Sequence, residues 1–185
     1  MIPVVDEDTF WTIIDSARAA AKPFHEALVD DLATRTEGEI LDYYERFGAL
    51  RLALHRWDIW AAAYLMGGGC SDDRFTDFTA GVVAQGRDWY SRVVTSPDSL
   101  ADHPAISAVA GRAWNNPLFY EQVNYAATYA FGRVTSDEEA FYEALESRER
   151  GDYGPAEMGE QFDFDDISQL RSRLPRLSAI CLGTE

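Results

Sequence analysis

The stretch His55-Arg56-Trp57-Asp58-Ile59-Trp60-Ala61-Ala62-Ala63-Tyr64-Leu65-Met66-Gly67-Gly68-Gly69-Cys70-Ser71-Asp72-Asp73 decides how this chain is read. It sets an imidazole, two indoles, a phenol and a carboxylate within about three helical turns. A glycine triplet then stops that helix, because glycine adopts left-handed backbone angles without a steric penalty. Ser71-Asp72-Asp73 supplies the oxygen acceptors that start the next one. Core helices are ordinarily built from Leu, Ile, Val and Ala. A helix so rich in large side chains with polar handles either buries a polar network or lines a pocket. That alternative separates a scaffold from an enzyme.

Outward from this stretch the apolar period stays helical. Upstream, Thr36-Glu37-Gly38-Glu39 has the form of a capping box. It opens a helix through Ile40, Leu41, Tyr44, Phe47, Leu50 and Leu54 that is predicted to run on to Met66. Asp8 or Thr9 is expected to cap a first helix carrying Phe10, Trp11, Ile13, Ile14 and Ala17, ending before Pro23. A shorter helix covers Phe24 to Thr34. Downstream, Asp73 to Thr95 reads as one helix with Phe75, Phe78, Val82, Gly86, Trp89 and Val93 as its buried stripe. Pro97-Asp98-Ser99 marks a turn. Residues 104–116, Pro117 to Phe131 and Asp137 to Arg150 read as three further helices, and residues 151–161 as a polar linker. Phe162-Asp163-Phe164-Asp165-Asp166 leads into a last helix, Ile167 to about Leu174, before Pro175. The pattern contains no strand pairs and no repeat. The expected architecture is all-α, a single domain over residues 1–185 built as a compact bundle of about seven to eight helices.

Composition narrows the function classes. A hydrophobic share of 46% supports a core, and the formal net charge of −16 argues against nucleic acid and against an anionic membrane surface, both of which select clustered Lys and Arg. No run of 18 apolar residues is present, and the N-terminus lacks a basic region followed by an apolar one. Cys70 and Cys181 are too few for a disulfide framework. The expectation is a reduced cytoplasmic protein. Lys22, the only lysine, sits beside Pro23 at an apparent helix end, a poor place for Schiff-base chemistry.

Several groups are candidates for chemistry. His55 and Asp58 are three apart, so on one helix their side chains meet, and a carboxylate beside an imidazole raises its pKa and orients it as a base. The same pair also serves as a plain buried hydrogen bond. Trp57, Trp60 and Tyr64 share a helical face, as core or as pocket wall. Asp72 and Asp73 read as capping residues, and Asp163, Asp165 and Asp166 as a helix start, since the spacing of a calcium loop is missing. No metal site is expected. Cys70 is a weaker candidate nucleophile without an adjacent base. GxSxG, P-loop and GxGxxG patterns are absent. A second polar-aromatic concentration runs from Trp114 to Tyr125; Asn124, Tyr125 and Tyr129 either face His55 across a helix–helix gap or form amphipathic aromatic packing with hydroxyls at the rim.

Phe10-Trp11-Thr12-Ile13-Ile14-Asp15, Arg56-Trp57-Asp58-Ile59-Trp60, Gly68-Gly69-Cys70-Ser71-Asp72-Asp73, Gln85-Gly86-Arg87, Pro97-Asp98-Ser99-Leu100-Ala101-Asp102, Phe164-Asp165-Asp166 and Arg173-Leu174-Pro175-Arg176-Leu177 resemble the domain-of-unknown-function 4240 family of small bacterial, often actinobacterial, proteins. The resemblance covers nearly the whole chain and is poor over residues 104–160. Its general role is open. Likeness to members in natural-product pathways implies a cofactor-free dehydrating cyclase acting on a tetramate-type polyketide. The family tends to have Tyr at the place of His55, and Arg and Trp near Thr79 and Gly81. Lost bulk together with a gained base implies a hollow made for a ligand.

Three functional expectations follow. In the first, a cofactor-independent lyase performs dehydration and Michael-type cyclisation of a polyketide-like small molecule. His55, oriented by Asp58, is general base or acid, and Tyr64, Tyr90 or Tyr125 donates to a developing enolate. Trp57, Trp60, Thr79, Gly81, Gln85, Tyr90, Trp114, Asn124 and Tyr125 enclose the substrate, and ring closure is mainly proximity catalysis. In the second, the chain is a non-catalytic regulatory or partner-binding helical protein, with a filled interior at Thr79 and Gly81 and an exposed apolar patch elsewhere. In the third, Cys70 serves a hydrolase. Substrate, stereochemistry and oligomeric state stay open.

Overall fold

The computed structural model describes residues 5–104, 106, 118–137, 139–148 and 157–183, and every regular element among them is helical. Helix α1 (Glu7–Ala19) starts from Asp6, whose Oδ1 accepts the Thr9 N–H at 2.8 Å, so the cap lies upstream of the expected Asp8 or Thr9. Helix α2 spans Phe24–Leu32. Helix α3 (Glu37–Ala53) opens on the capping box: the Thr36 N–H donates to Glu39 Oε2 at 2.9 Å, and the Glu39 N–H donates to Thr36 Oγ1 at 3.3 Å.

The helix expected to continue to Met66 instead breaks before Trp57. Leu54 and His55 donate to Arg51 and Leu52 in tight turns, and Arg56 turns extended (φ −132°, ψ 148°). The Trp57 N–H then donates to Met158 O at 2.9 Å. Helix α4 (Trp57–Gly67) ends as expected on the glycine triplet. Gly68 is left-handed (φ 62°), and the Gly69 N–H donates to Tyr64 O at 2.9 Å.

The helix expected over Asp73 to Thr95 is likewise two, α5 (Asp72–Ala84) and α6 (Arg87–Thr95). Gly86 stands between them at φ 87°, a backbone region a side chain resists, so the chain turns there. A 3₁₀ segment covers Pro97–Asp102 where a turn was expected. Within the stretch expected to be helical from Pro117 to Phe131 lie a 3₁₀ segment (Glu121–Tyr125) and the start of α7 (Ala126–Thr135). Helix α8 spans Ala140–Glu146, α9 Ile167–Arg173 and α10 Pro175–Cys181. Pro175 ends α9 as anticipated and then opens α10, because its fixed φ suits a first helical position. Ten α-helices are thus present among the described residues, more than the expected seven to eight, because two long helices are split and Pro175 begins another. The short helix expected at 104–116 lies largely outside the described residues, as does the first part, 151–156, of the linker expected at 151–161.

The chain forms two compact units, each from two segments: Met1–Leu50 with Gln122–Pro155, and Arg51–Glu121 with Ala156–Glu185. In the first unit α1 packs on α2, α2 on α7 and α7 on α8. Phe10 of α1 stacks on Tyr43 of α3 (ring centroids 5.0 Å apart), and Arg148 pairs with the buried Asp42 at 2.8 Å. In the second unit α4 packs against α5, α10 and the Pro97–Asp102 segment. The buried Asp98 carboxylate accepts the N–H groups of Arg176 (3.1 Å) and Leu177 (2.9 Å), satisfying donors that the first turn of α10 leaves open. No helix among the described residues is long and apolar enough to cross a membrane.

Candidate functional site

Spacings of three and four put Trp57, Trp60 and Tyr64 on one face of α4. A series of rings connects that face to the core of the second unit. Phe78 and Phe75 of α5 lie 6.4 Å apart by ring centroid, Phe75 stacks on Trp60 at 4.5 Å and 9°, and Trp60 stacks on Trp57 at 5.7 Å. Trp60 is locked at its other end, where the indole Nε1–H donates to Cys70 O at 3.1 Å. Trp57 and Tyr64 form the outer rung.

The segment before α9 docks on that rung. Its backbone is tied at Met158, which accepts the Trp57 N–H. Phe164 then sits 6.1 Å from Trp57 and 5.5 Å from Tyr64 by ring centroid, with Phe162 edge-on to it at 5.2 Å. Phe162 carries the Arg173 guanidinium 4.4 Å above its ring, and Arg173 also pairs with Glu160 at 3.0 Å. Asp163 Oδ1 accepts the Asp165 N–H (2.9 Å), and Asp166 caps α9 through Ser168 and Gln169, the helix-start role expected of this cluster. The Gln169 side-chain amide, donating to Asp166 Oδ2 at 2.9 Å, together with these backbone donors holds the Asp166 carboxyl below its usual range.

Between α4 and this segment lies a groove of about 670 Å³, open to solvent, lined by Trp57, Tyr64 and residues 161–165. The Tyr64 hydroxyl donates to Asp165 Oδ1 at 2.6 Å. That bond, then burial and the negative charges of Asp165 and Asp163, raise the phenol above its ordinary 10.0, so it stays protonated and acts as a donor. The lining side chains offer aromatic surface, the carboxylates of Asp163 and Asp165, the Tyr64 hydroxyl and the Gln161 carboxamide. Among the described residues they include no imidazole, thiol or aliphatic hydroxyl. Such a set attracts cations and does not assemble a nucleophile with its base.

The expected site residues do not converge. Trp57 and Tyr64 line the groove, and Trp60 lies beneath Trp57. His55 and Asp58 are not partners: Arg56 grips Asp58 through Nε–Oδ1 (3.0 Å) and Nη2–Oδ2 (2.5 Å), while the imidazole lies against Phe75 and Trp60 at 5.5 and 6.0 Å. The break at Arg56 removes the shared helical surface on which the pair was to meet. Among the described residues, the small side chains at Thr79 and Gly81 have their space occupied. Thr79 is buried, accepts from Arg51 Nε at 3.1 Å and donates to Thr76 O at 2.9 Å. Gly81 has the Leu118 main chain against it: an added Cβ would stand 1.9 Å from Leu118 O. Glycine there allows a close backbone approach, and the space is taken.

Gln85 donates to Gly81 O at 3.2 Å and faces His103 Nε2 at 3.1 Å, and Tyr90 is buried on α6; neither reaches the groove. Asn124 and Tyr125 belong to the other unit, in the Glu121–Tyr125 segment, where Tyr125 is exposed. Trp114 lies outside the described residues. Burial pushes the Cys70 thiol up to about 11, away from the thiolate form that a nucleophile uses. The sequence pattern does not mark Gln161, Phe162 and Phe164 as lining, and it reads Asp163 and Asp165 as part of a helix start. Their signal was the alternation of Phe with Asp directly after a polar stretch.

No three His, Cys, Asp or Glu side chains among the described residues are grouped to hold a metal ion. No curated protein and no solved structure matches the chain. The family model described as "Protein of unknown function (DUF4240)" matches residues 5–133, a stretch that includes α4 and ends before the segment docked on it. The chain belongs to the DUF4240 family.

Proposed function

We infer that the protein is a non-catalytic binding module whose groove on α4 captures a positively charged group of a partner. The carrying observation is the joint lining of one open groove by the rings of Trp57, Tyr64 and Phe164 and the carboxylates of Asp163 and Asp165. A cation over an aromatic face gains roughly 0.5–1 kcal/mol at an exposed site. Each exposed ion pair adds up to about 1 kcal/mol. The chain's net charge of −16 adds a long-range field that draws cationic partners in and repels anionic ones.

The dehydrating-cyclase alternative lacks comparable support. Its base is separated from the carboxylate meant to orient it, and the two positions meant to open its cavity are covered by Arg51 and Leu118.

Intrinsic tryptophan fluorescence tests the reading. Capped octapeptides carrying one Lys or one Arg are titrated against the same peptide with Gln at that place. Both cationic peptides are expected to bind about 10-fold or more tighter than the neutral one, with the difference lost in Trp57→Ala and shrinking at high salt. Equal binding of all three, or no binding, contradicts the proposal.

A further inference from the structure

We propose that the groove's occupant is the guanidinium of an arginine displayed on a peptide segment, an inference that rests on the cation-binding reading above. The wall of the groove already holds one guanidinium by this chemistry. Arg173 lies 4.4 Å over the Phe162 ring and pairs with Glu160, so an aromatic face and a carboxylate from one short segment seat it together. Two residues further along, the segment repeats the combination toward α4: Phe164 beside Trp57 and Tyr64, flanked by Asp163 and Asp165.

The groove's openness selects among cations. A lysine ammonium is a compact, strongly hydrated charge, so it gives back part of its attraction to the groove in lost hydration. A quaternary ammonium gains most inside a closed aromatic box, which one open side does not supply. A guanidinium is flat and weakly hydrated, stacks on rings and presents a planar fork to carboxylates. Tyr64 holds Asp165 through Oδ1, which fixes the carboxylate and leaves Oδ2 as an acceptor for that fork. A volume of about 670 Å³ lies in the range that takes a drug-sized body, so backbone and neighbouring side chains of a peptide enter together with the arginine.

The test uses the whole chain and three capped pentapeptides identical except for a central Arg, Lys or citrulline, the last being a neutral analogue of arginine. Calorimetry at two salt concentrations reads the affinities. The Arg peptide is expected to bind about 3-fold or more tighter than the Lys peptide and about 10-fold or more tighter than the citrulline peptide. Both preferences should disappear in the Asp163→Asn/Asp165→Asn double variant, whose fold is checked by circular dichroism and thermal midpoint. Should that variant fail to fold, Phe164→Leu serves in its place, removing the stacking face. Equal affinity for Arg and Lys, both above citrulline, overturns the guanidinium assignment and leaves cation binding standing. Equal affinity for all three, or none, overturns both.

Discussion

The Tyr64 phenol donates to the Asp165 carboxylate at 2.6 Å across a sequence separation of 101 residues. This bond joins α4 to the segment before α9 at the rim of the groove, beside the ring contacts of Phe164. It also sets the protonation of the phenol, which stays neutral well into the alkaline range.

Tyr64→Phe keeps the ring and removes the donor. Cation binding is expected to weaken about 2- to 5-fold, because Asp165 loses its fixed orientation while its charge remains. The pH dependence has a definite sign. The folded-state pKa is raised above 10.0, so the contribution of this bond to stability is present below pH 10 and is lost as pH rises through the folded value. Thermal midpoints between about pH 9 and about pH 11 should therefore fall more steeply in the parent than in the variant. Parallel curves contradict the role given to this bond.

Gly81→Ala is expected to destabilise by about 3 kcal/mol or more, since its Cβ would meet the Leu118 carbonyl and the backbone there has to move. Chemical denaturation measures it. A neutral result would mean that space exists beside Gly81 after all, and would return the hollow interior to consideration.

Much of the local structure is legible in the sequence, and two helix breaks show where legibility stops. Capping boxes, glycine stops and Asp166 act over three or four residues, so Thr36, Glu39, Gly68 and Ser71 could be read directly. The breaks before Trp57 and at Gly86 could not. The first depends on the Met158 carbonyl, which supplies a partner from about a hundred residues away; the second hides a positive φ inside a continuous apolar stripe. Asp58 was assigned to His55 by helical spacing, yet Arg56, two residues away, takes it once the helix is interrupted. The face of Trp57, Trp60 and Tyr64 was visible from periodicity. Its cover was not, because no local pattern shows that Phe162 and Phe164 dock on it.

Glu39→Gln keeps both capping hydrogen bonds and removes a titrating group. The Glu39 carboxyl is held below 4.5 chiefly by the Thr36 N–H. A depressed carboxyl stabilises above its unfolded value, and that contribution is lost as pH falls through the folded one. Thermal midpoints measured from about pH 5 down to about pH 3 should fall more slowly in the variant. An unchanged slope contradicts the assignment.

Tyr43→Phe tests the core of the first unit. The Tyr43 hydroxyl is buried with no hydrogen-bond partner among the described residues, and burial drives its pKa far upward. Its ring stacks on Phe10 and Phe47, contacts that Phe preserves. Removing an unsatisfied buried group should stabilise by about 1 kcal/mol in denaturant unfolding. A loss of similar size would reveal a partner for the hydroxyl.

The central claim is that α4 and residues 161–165 form a cation-capturing groove. Amide and indole chemical-shift mapping during titration with the arginine pentapeptide tests it most directly. The largest shifts are expected at Trp57, Tyr64 and Phe162 to Asp165, with His55, Thr79 and Gly81 little changed. Shifts centred on His55, Thr79 and Gly81, or no saturable shift at the groove, would contradict it.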